Sequence, residues 1–271
     1  MGNDWLLVCF TALVLTGAGI TVAVAAGESR NAALKLQTVA SLVALLVLAV
    51  GGGFAVMHLG RPAMIFGALG NPTTGIFREF VTFGLTTLAI VTYLIALLRG
   101  AEASTTLWLS RFAAIAAVLL SLAVGSAFVM PWRPAWDTWT LVLPYMGWAL
   151  WSAAFAAMML LGLADEKAPG DHRIYIVASA ILVVSLAVYL IGTVISGGMA
   201  AALQRVLIGD LALVLWGAIV IGLLMPLVLA HFIKGALVGP FISMLLIMLG
   251  TGLFQWVIQL LGTPVWHFFA R

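Results

Sequence analysis

The chain has 271 residues, 64% of them hydrophobic and only 8% charged, with a mean hydropathy of +1.22. Soluble domains carry about 25% charged residues, so a soluble globular fold is excluded; the net charge of +3 is spread over short connections and offers no basic tail for nucleic acid. What remains is an all-α polytopic membrane protein. Its apolar runs have the roughly 20-residue length that crosses a hydrocarbon core of about 30 Å, and none shows the short alternation of a transmembrane barrel.

Eight such runs, at 5–26, 35–57, 77–98, 107–130, 144–164, 173–196, 206–230 and 240–262, predict one domain over 1–271, a bundle of eight transmembrane helices without internal repeats. The first run is too long and uniform for a cleaved leader and has no charged lead-in, so it reads as a retained helix. It holds the single cysteine, Cys9, which leaves no disulfide and no thiolate metal site within the chain.

The second run ends in F-A-V-M-H-L-G-R-P, which places His58, Gly60, Arg61 and Pro62 together at a membrane boundary. Gly51 and Phe54 stand seven and four residues before His58, on the face that the histidine presents. The triplet Gly51-Gly52-Gly53 either opens a cleft there for a flat ring or an isoprenoid tail, or serves close helix packing. The third run follows N-P-T-T-G, a turn in which Thr73 or Thr74 caps the helix, and carries Glu79 in its first two turns. The helix dipole favours an acid there and Arg78 can neutralise it, yet an ionisable group at membrane depth points first to function. His58 and Glu79 flank one connection and converge on one boundary pocket. A histidine beside a carboxylate suits proton-coupled redox chemistry at a hydroxyl or carbonyl oxygen, as in a quinol that loses two electrons and two protons. The same pair suits a proton-coupled secondary transporter.

After the fourth run, P-W-R-P-A-W-D-T-W-T adds Arg133, Asp137 and three tryptophans on the same side. Trp132 and Trp139 read as interfacial belt residues, while Arg133 and a tryptophan either wall a quinone head group or meet a docked partner. Asp165, Glu166 and Lys167 read as solvated anchors. His172 and His231 lie at loop edges and read as surface residues rather than a haem pair, His267 has no partner in the sequence, and Asp210 pairs with Arg205 five residues before it. With the N-terminus outside, the inner connections hold Arg30, Lys35, Arg99, Arg111, Lys167, Arg173 and Lys234, more than the Arg61, Arg78, Arg133, Arg205 and Arg271 of the outer side. That bias puts both termini outside.

The block V-M-H-L-G-R-P-A-M-I-F-G-A-L-G-N-P-T-T-G-I-F-R-E-F resembles the signature of the DmsC family, the membrane anchor subunits of dimethyl sulfoxide reductase. The matching positions are His58, Leu59, Gly60, Pro62, Leu69 and Glu79, and R-P-A-W-D-T-W is similar to a family loop. Eight helices over the whole chain agree with the family. The resemblance implies a site for menaquinone or ubiquinone in which His58 and Glu79 handle protons; Gly60, Arg61 and Pro62 of the same block, and Arg133 and Trp136 from the reading of the 131–140 segment, are expected to line it. It implies no haem and no metal in this chain. Iron–sulfur clusters and molybdopterin belong to two partner subunits in a bacterial cytoplasmic membrane, and electrons run from quinol to substrate, or in reverse in sulfite-oxidising complexes. The iron–sulfur subunit is then expected on the face that carries Arg61, Arg78, Arg133, Trp132 and Trp136. At the eighth run this chain has G-T-G-L-F-Q-W where some members carry an acid and an arginine, and the resemblance assigns no site residue there.

Overall fold

Backbone polar groups in hydrocarbon must be satisfied within the protein, and this chain does so with helices. A computed structural model describes residues 4–59, 66–67, 70–164, 172–197, 200–233 and 237–262. All regular elements among these residues are helical: α1 (Asp4–Ser29), α2 (Leu34–His58), α3 (Gly75–Leu98), α4 (Ala103–Ser126), α5 (Val142–Ala164), α6 (His172–Gly197), α7 (Ala200–Leu207), α8 (Ala212–Ile219), α9 (Met225–Phe232) and α10 (Val238–Leu261). Eight helical stretches are long and apolar enough to cross a membrane, the seventh being Ala212–Phe232, which joins α8 and α9. The predicted all-α membrane bundle is therefore the observed architecture.

The main departures from the sequence reading are at the fourth and seventh runs. The fourth helix ends at Ser126 rather than near 130, because Pro131 disfavours helical backbone at the residue before it and the chain turns there. The seventh run breaks at 208–211, leaving α7 separate. Across the break Arg205 forks onto Asp210, with Nη2–Oδ2 at 2.7 Å and Nε–Oδ1 at 3.0 Å, so the expected pairing is present. The guanidinium holds the Asp210 carboxyl below the usual carboxylate range.

The first four spans, α1–α4, and the last four, within α5–α10, join where α1 packs on α5 and α10 and where α4 packs on α5. The first span is the most enclosed of the eight. Close approach needs small residues: a Cβ on Gly19 would lie 2.6 Å from the Ala149 carbonyl oxygen. The seventh span carries a π-helical segment, Val220–Leu224, just before Pro226. Proline has no N–H to offer the carbonyl four residues earlier, which is that of Gly222. The Trp151 indole N–H donates to this oxygen at 2.8 Å, and Gly222 and Gly250 meet with no room for a side chain on either.

At the end away from His58, Glu28 is held inside the bundle rather than solvated in its turn. Its carboxylate accepts from the Tyr93 hydroxyl at 2.7 Å, from the Thr106 hydroxyl at 2.5 Å and from Gln37 Nε2 at 3.3 Å, which ties α1 to α2, α3 and α4.

Candidate functional site

His58 is the last residue of α2, which closes in a tight turn with the Leu59 N–H donating to the Val56 carbonyl at 3.3 Å. The glycine triplet before it divides its roles. Gly51 is buried against α1, where a Cβ would lie 2.9 Å from Val14 Cγ2; Gly52 faces Phe83 Cζ at the same distance; Gly53 has open space in front of it. Phe54 meets the edge of Trp5 on α1, with ring centroids 6.0 Å apart. Gly51 and Phe54 therefore serve the α1–α2 contact and, contrary to what their spacing predicted, do not share the ligand face with His58. Gly52, Ala55 and Val56 provide that face.

The start of α3 is fixed by three local features. Thr74, rather than Thr73, is the N-cap: its hydroxyl accepts from the Phe77 N–H at 3.2 Å and donates to the Asn71 carbonyl at 3.0 Å. Gly75 then lets the helix end lie directly on Ala127, whose Cα would be 2.5 Å from a Cβ on Gly75. Arg78 donates to the Ser126 carbonyl at 3.3 Å and lies over the Trp139 ring at 5.7 Å. Arg78 is thus turned toward α4 and forms no direct ion pair with Glu79 among the described residues, though its positive charge still acts on the carboxylate as expected. Glu79 faces the opposite way, and none of the described residues hydrogen-bonds its carboxylate.

The 131–141 connection folds as two 3₁₀ turns, Pro134–Trp136 and Trp139–Leu141. Trp136 is 3% exposed; its indole N–H donates to the Ile258 carbonyl at 2.8 Å and its ring meets Phe128 edge-on. Arg133 donates to the Gly262 carbonyl at 2.6 Å and covers the Trp136 ring at 4.3 Å. A Cβ on Gly262 would overlap this pair, so glycine there admits the indole. The connection is clamped onto the end of α10. Trp136 cannot meet a docked partner as expected, because it is buried in this clamp. Trp132 and Trp139 are exposed, as belt residues are.

These pieces enclose one cavity of about 590 Å³, within the range of small-molecule sites. His58, Glu79, Arg133 and Trp136 all line it, so every predicted site residue that is described reaches the same space. Gly60, Arg61, Pro62 and Leu69 lie outside the described residues. The remaining wall is apolar and aromatic, including Phe10, Phe80, Phe83 and Phe128. Between α2 and α3 the packing is far lighter than between α1 and α2 or α3 and α4, so the cavity is walled thinly at that seam. A flat apolar molecule with polar edges fits these walls: aromatic faces for the ring, and an imidazole, a carboxylate and a guanidinium near its oxygens.

Sequence reasoning missed Gln259, which lines the cavity from α10. The available signal was a second glutamine in an otherwise apolar run, four residues after Gln255. Of the other histidines, His231 is exposed at the end of α9, while the side chain of His172 and all of His267 lie outside the described residues. Neither the protein-family models nor the curated proteins contain a match to this chain.

Proposed function

We propose that this chain is the membrane anchor and quinone-reactive subunit of a three-subunit molybdopterin oxidoreductase. It would exchange electrons between menaquinol or ubiquinone and an iron–sulfur subunit, as the likeness of residues 56–80 to dimethyl sulfoxide reductase anchors suggests. The observation that carries the reading is the convergence of His58, Glu79, Arg133 and Trp136 on a single cavity at one membrane boundary. His58 and Glu79 come from different helices, and among the described residues nothing hydrogen-bonds the Glu79 carboxylate.

In this reading a quinol enters from the lipid with its ring against Phe80, Phe83 and Phe128. Its oxidation releases two protons and two electrons. His58 and Glu79 accept the protons, directly or through water, and the iron–sulfur subunit takes the electrons. Because the reading places no haem in this chain, electrons have no relay across a core of about 30 Å, and the partner must dock at the His58 end. The charge bias assigns that end to the outer face of the cytoplasmic membrane.

The test is to purify the tagged chain from its native membrane and measure bound metal. Iron and molybdenum should co-purify in the ratio of a single catalytic complex. Their absence, together with proton-driven solute uptake by liposomes holding the chain alone, would replace this reading with that of a transporter.

A further inference from the structure

A second cavity, of about 410 Å³, lies between α1, α5 and α6 and shares no lining residue with the cavity at His58. It exists because α1 and α6 both pack on α5 but have no substantial contact with each other, which leaves a furrow between them. Ala153, Ala154 and Ala157 of α5 form its floor and put no bulk into the gap. Ala26 of α1 lines one side and Ile181 of α6 the other. Val177 on the rim is exposed, so the furrow opens toward the lipid.

Every side chain lining the furrow is aliphatic except one. Arg173, at the start of α6, stands at its end. From Arg173 to Ile181 the helix rises about 12 Å, close to the roughly 15 Å that one leaflet contributes to the hydrocarbon core. The charge bias assigns the Arg173 end to the cytoplasmic face. The walls thus suit an unbranched apolar chain lying along the helices, and the guanidinium adds a requirement for negative charge at the headgroup level. Its five N–H donors can hold phosphate oxygens beside the interaction that Arg173 already has. Anionic headgroups are the ligands that the cytoplasmic leaflet offers to a basic site between helices.

We propose that this furrow binds an acyl chain of an anionic phospholipid of the inner leaflet, with the lipid phosphate on Arg173. The inference stands apart from the quinone reading and holds for an anchor subunit and a carrier alike.

The experiment takes the protein from its native membrane, with the subunits it retains, into nanodiscs of phosphatidylcholine. These contain a trace of phosphatidylglycerol or of phosphatidylcholine with a photoactivatable group on the acyl chain, and labelled peptides are mapped by mass spectrometry. Phosphatidylglycerol should label 153–157 and 174–181 more than the lipid-facing segment 39–46 of α2. It should also label them about fivefold more than phosphatidylcholine does, the effect of one cation near an anionic surface. Arg173→Gln should bring the two lipids level. Ala26→Phe, which fills the furrow from a half-buried position, should abolish labelling there and spare 39–46; Ala178→Leu on the opposite side serves if that variant fails to assemble. Labelling of the furrow no stronger than that of 39–46, or a lipid preference unchanged in Arg173→Gln, would overturn the proposal. Wild-type protein with no label in the furrow would overturn it too, and would assign the furrow to a helix of a partner subunit.

Discussion

Replacing Glu79 with glutamine separates chemistry from structure at this site. The substitution keeps the size and shape of the side chain and removes only its capacity to take a proton. No described residue hydrogen-bonds the carboxylate and Arg78 is engaged with Ser126 and Trp139, so Glu79→Gln breaks no protein contact. The melting midpoint of the complex should therefore stay near that of wild type. General acid–base groups contribute about 10²–10⁴-fold, or about 2.7–5.4 kcal/mol of barrier at 1.36 kcal/mol per decade. Turnover with a quinol analogue should fall by that factor, while turnover with a dye that reduces the soluble subunits directly should persist. The neighbouring change Arg78→Gln should do the reverse. It loses one hydrogen bond and one exposed cation–π contact, together about 1–2.5 kcal/mol of stability, and should leave quinol turnover nearly intact. Quinol turnover of Glu79→Gln within threefold of wild type, or equal loss in the quinol and dye assays, would refute the reasoning.

His58→Ala should lower quinol-dependent turnover by about 10²–10⁴-fold while dye-dependent turnover persists; equal loss in both would make His58 structural. A reduced-minus-oxidised spectrum of the isolated chain should lack a b-type band, and finding one would make the chain a cytochrome. Crosslinkers on cysteines beside Arg61 and Arg133 should capture the iron–sulfur subunit, and capture only from beside Lys167 would move the docking face to the other side. Glu28→Gln should lower thermal stability, since the carboxylate joins four helices, and should leave quinol turnover unchanged at equal complex content.

Apolar length made the eight spans legible, because hydrocarbon thickness sets it whatever the packing partner. The ends were less legible where backbone chemistry intervened, as at Pro131 for α4 and at the 208–211 break before α8. His58, Glu79 and Arg133 could be singled out because ionisable groups are rare in this chain. Trp136 could be set apart from the belt residues Trp132 and Trp139, but its burial could not be read from composition. Only the 3₁₀ turn that folds it onto Ile258 makes it a cavity wall and leaves the other two outside. Gln259 was marked only as a second glutamine in an apolar run, and its place on the cavity comes from the clamp that positions α10. The glycine triplet shows the limit of face arguments near a helix end, since three consecutive residues point to α1, to Phe83 and to open space.

An interrupted span with Gly and Pro is a mark of transporters, so the π segment in the seventh span bears on the rival reading. In transporters the broken helix exposes backbone groups to an ion or substrate near the midplane. Here the freed carbonyl of Gly222 is occupied by the Trp151 indole, and the surroundings are Gly250 and the Trp148 ring. No ionisable side chain lies between 212 and 230, so the interruption offers neither charge nor an open acceptor to a moving ion. The two half-buried carboxylates, Glu28 and Glu79, lie at opposite ends of the bundle, and the first accepts from three donors on neighbouring helices. A carrier needs one site that both sides reach in turn; among the described residues His58 and Glu79 line a cavity at one end, while Glu28 is held by three hydrogen bonds at the other. That asymmetry suits a protein whose chemistry begins and ends at a single membrane face.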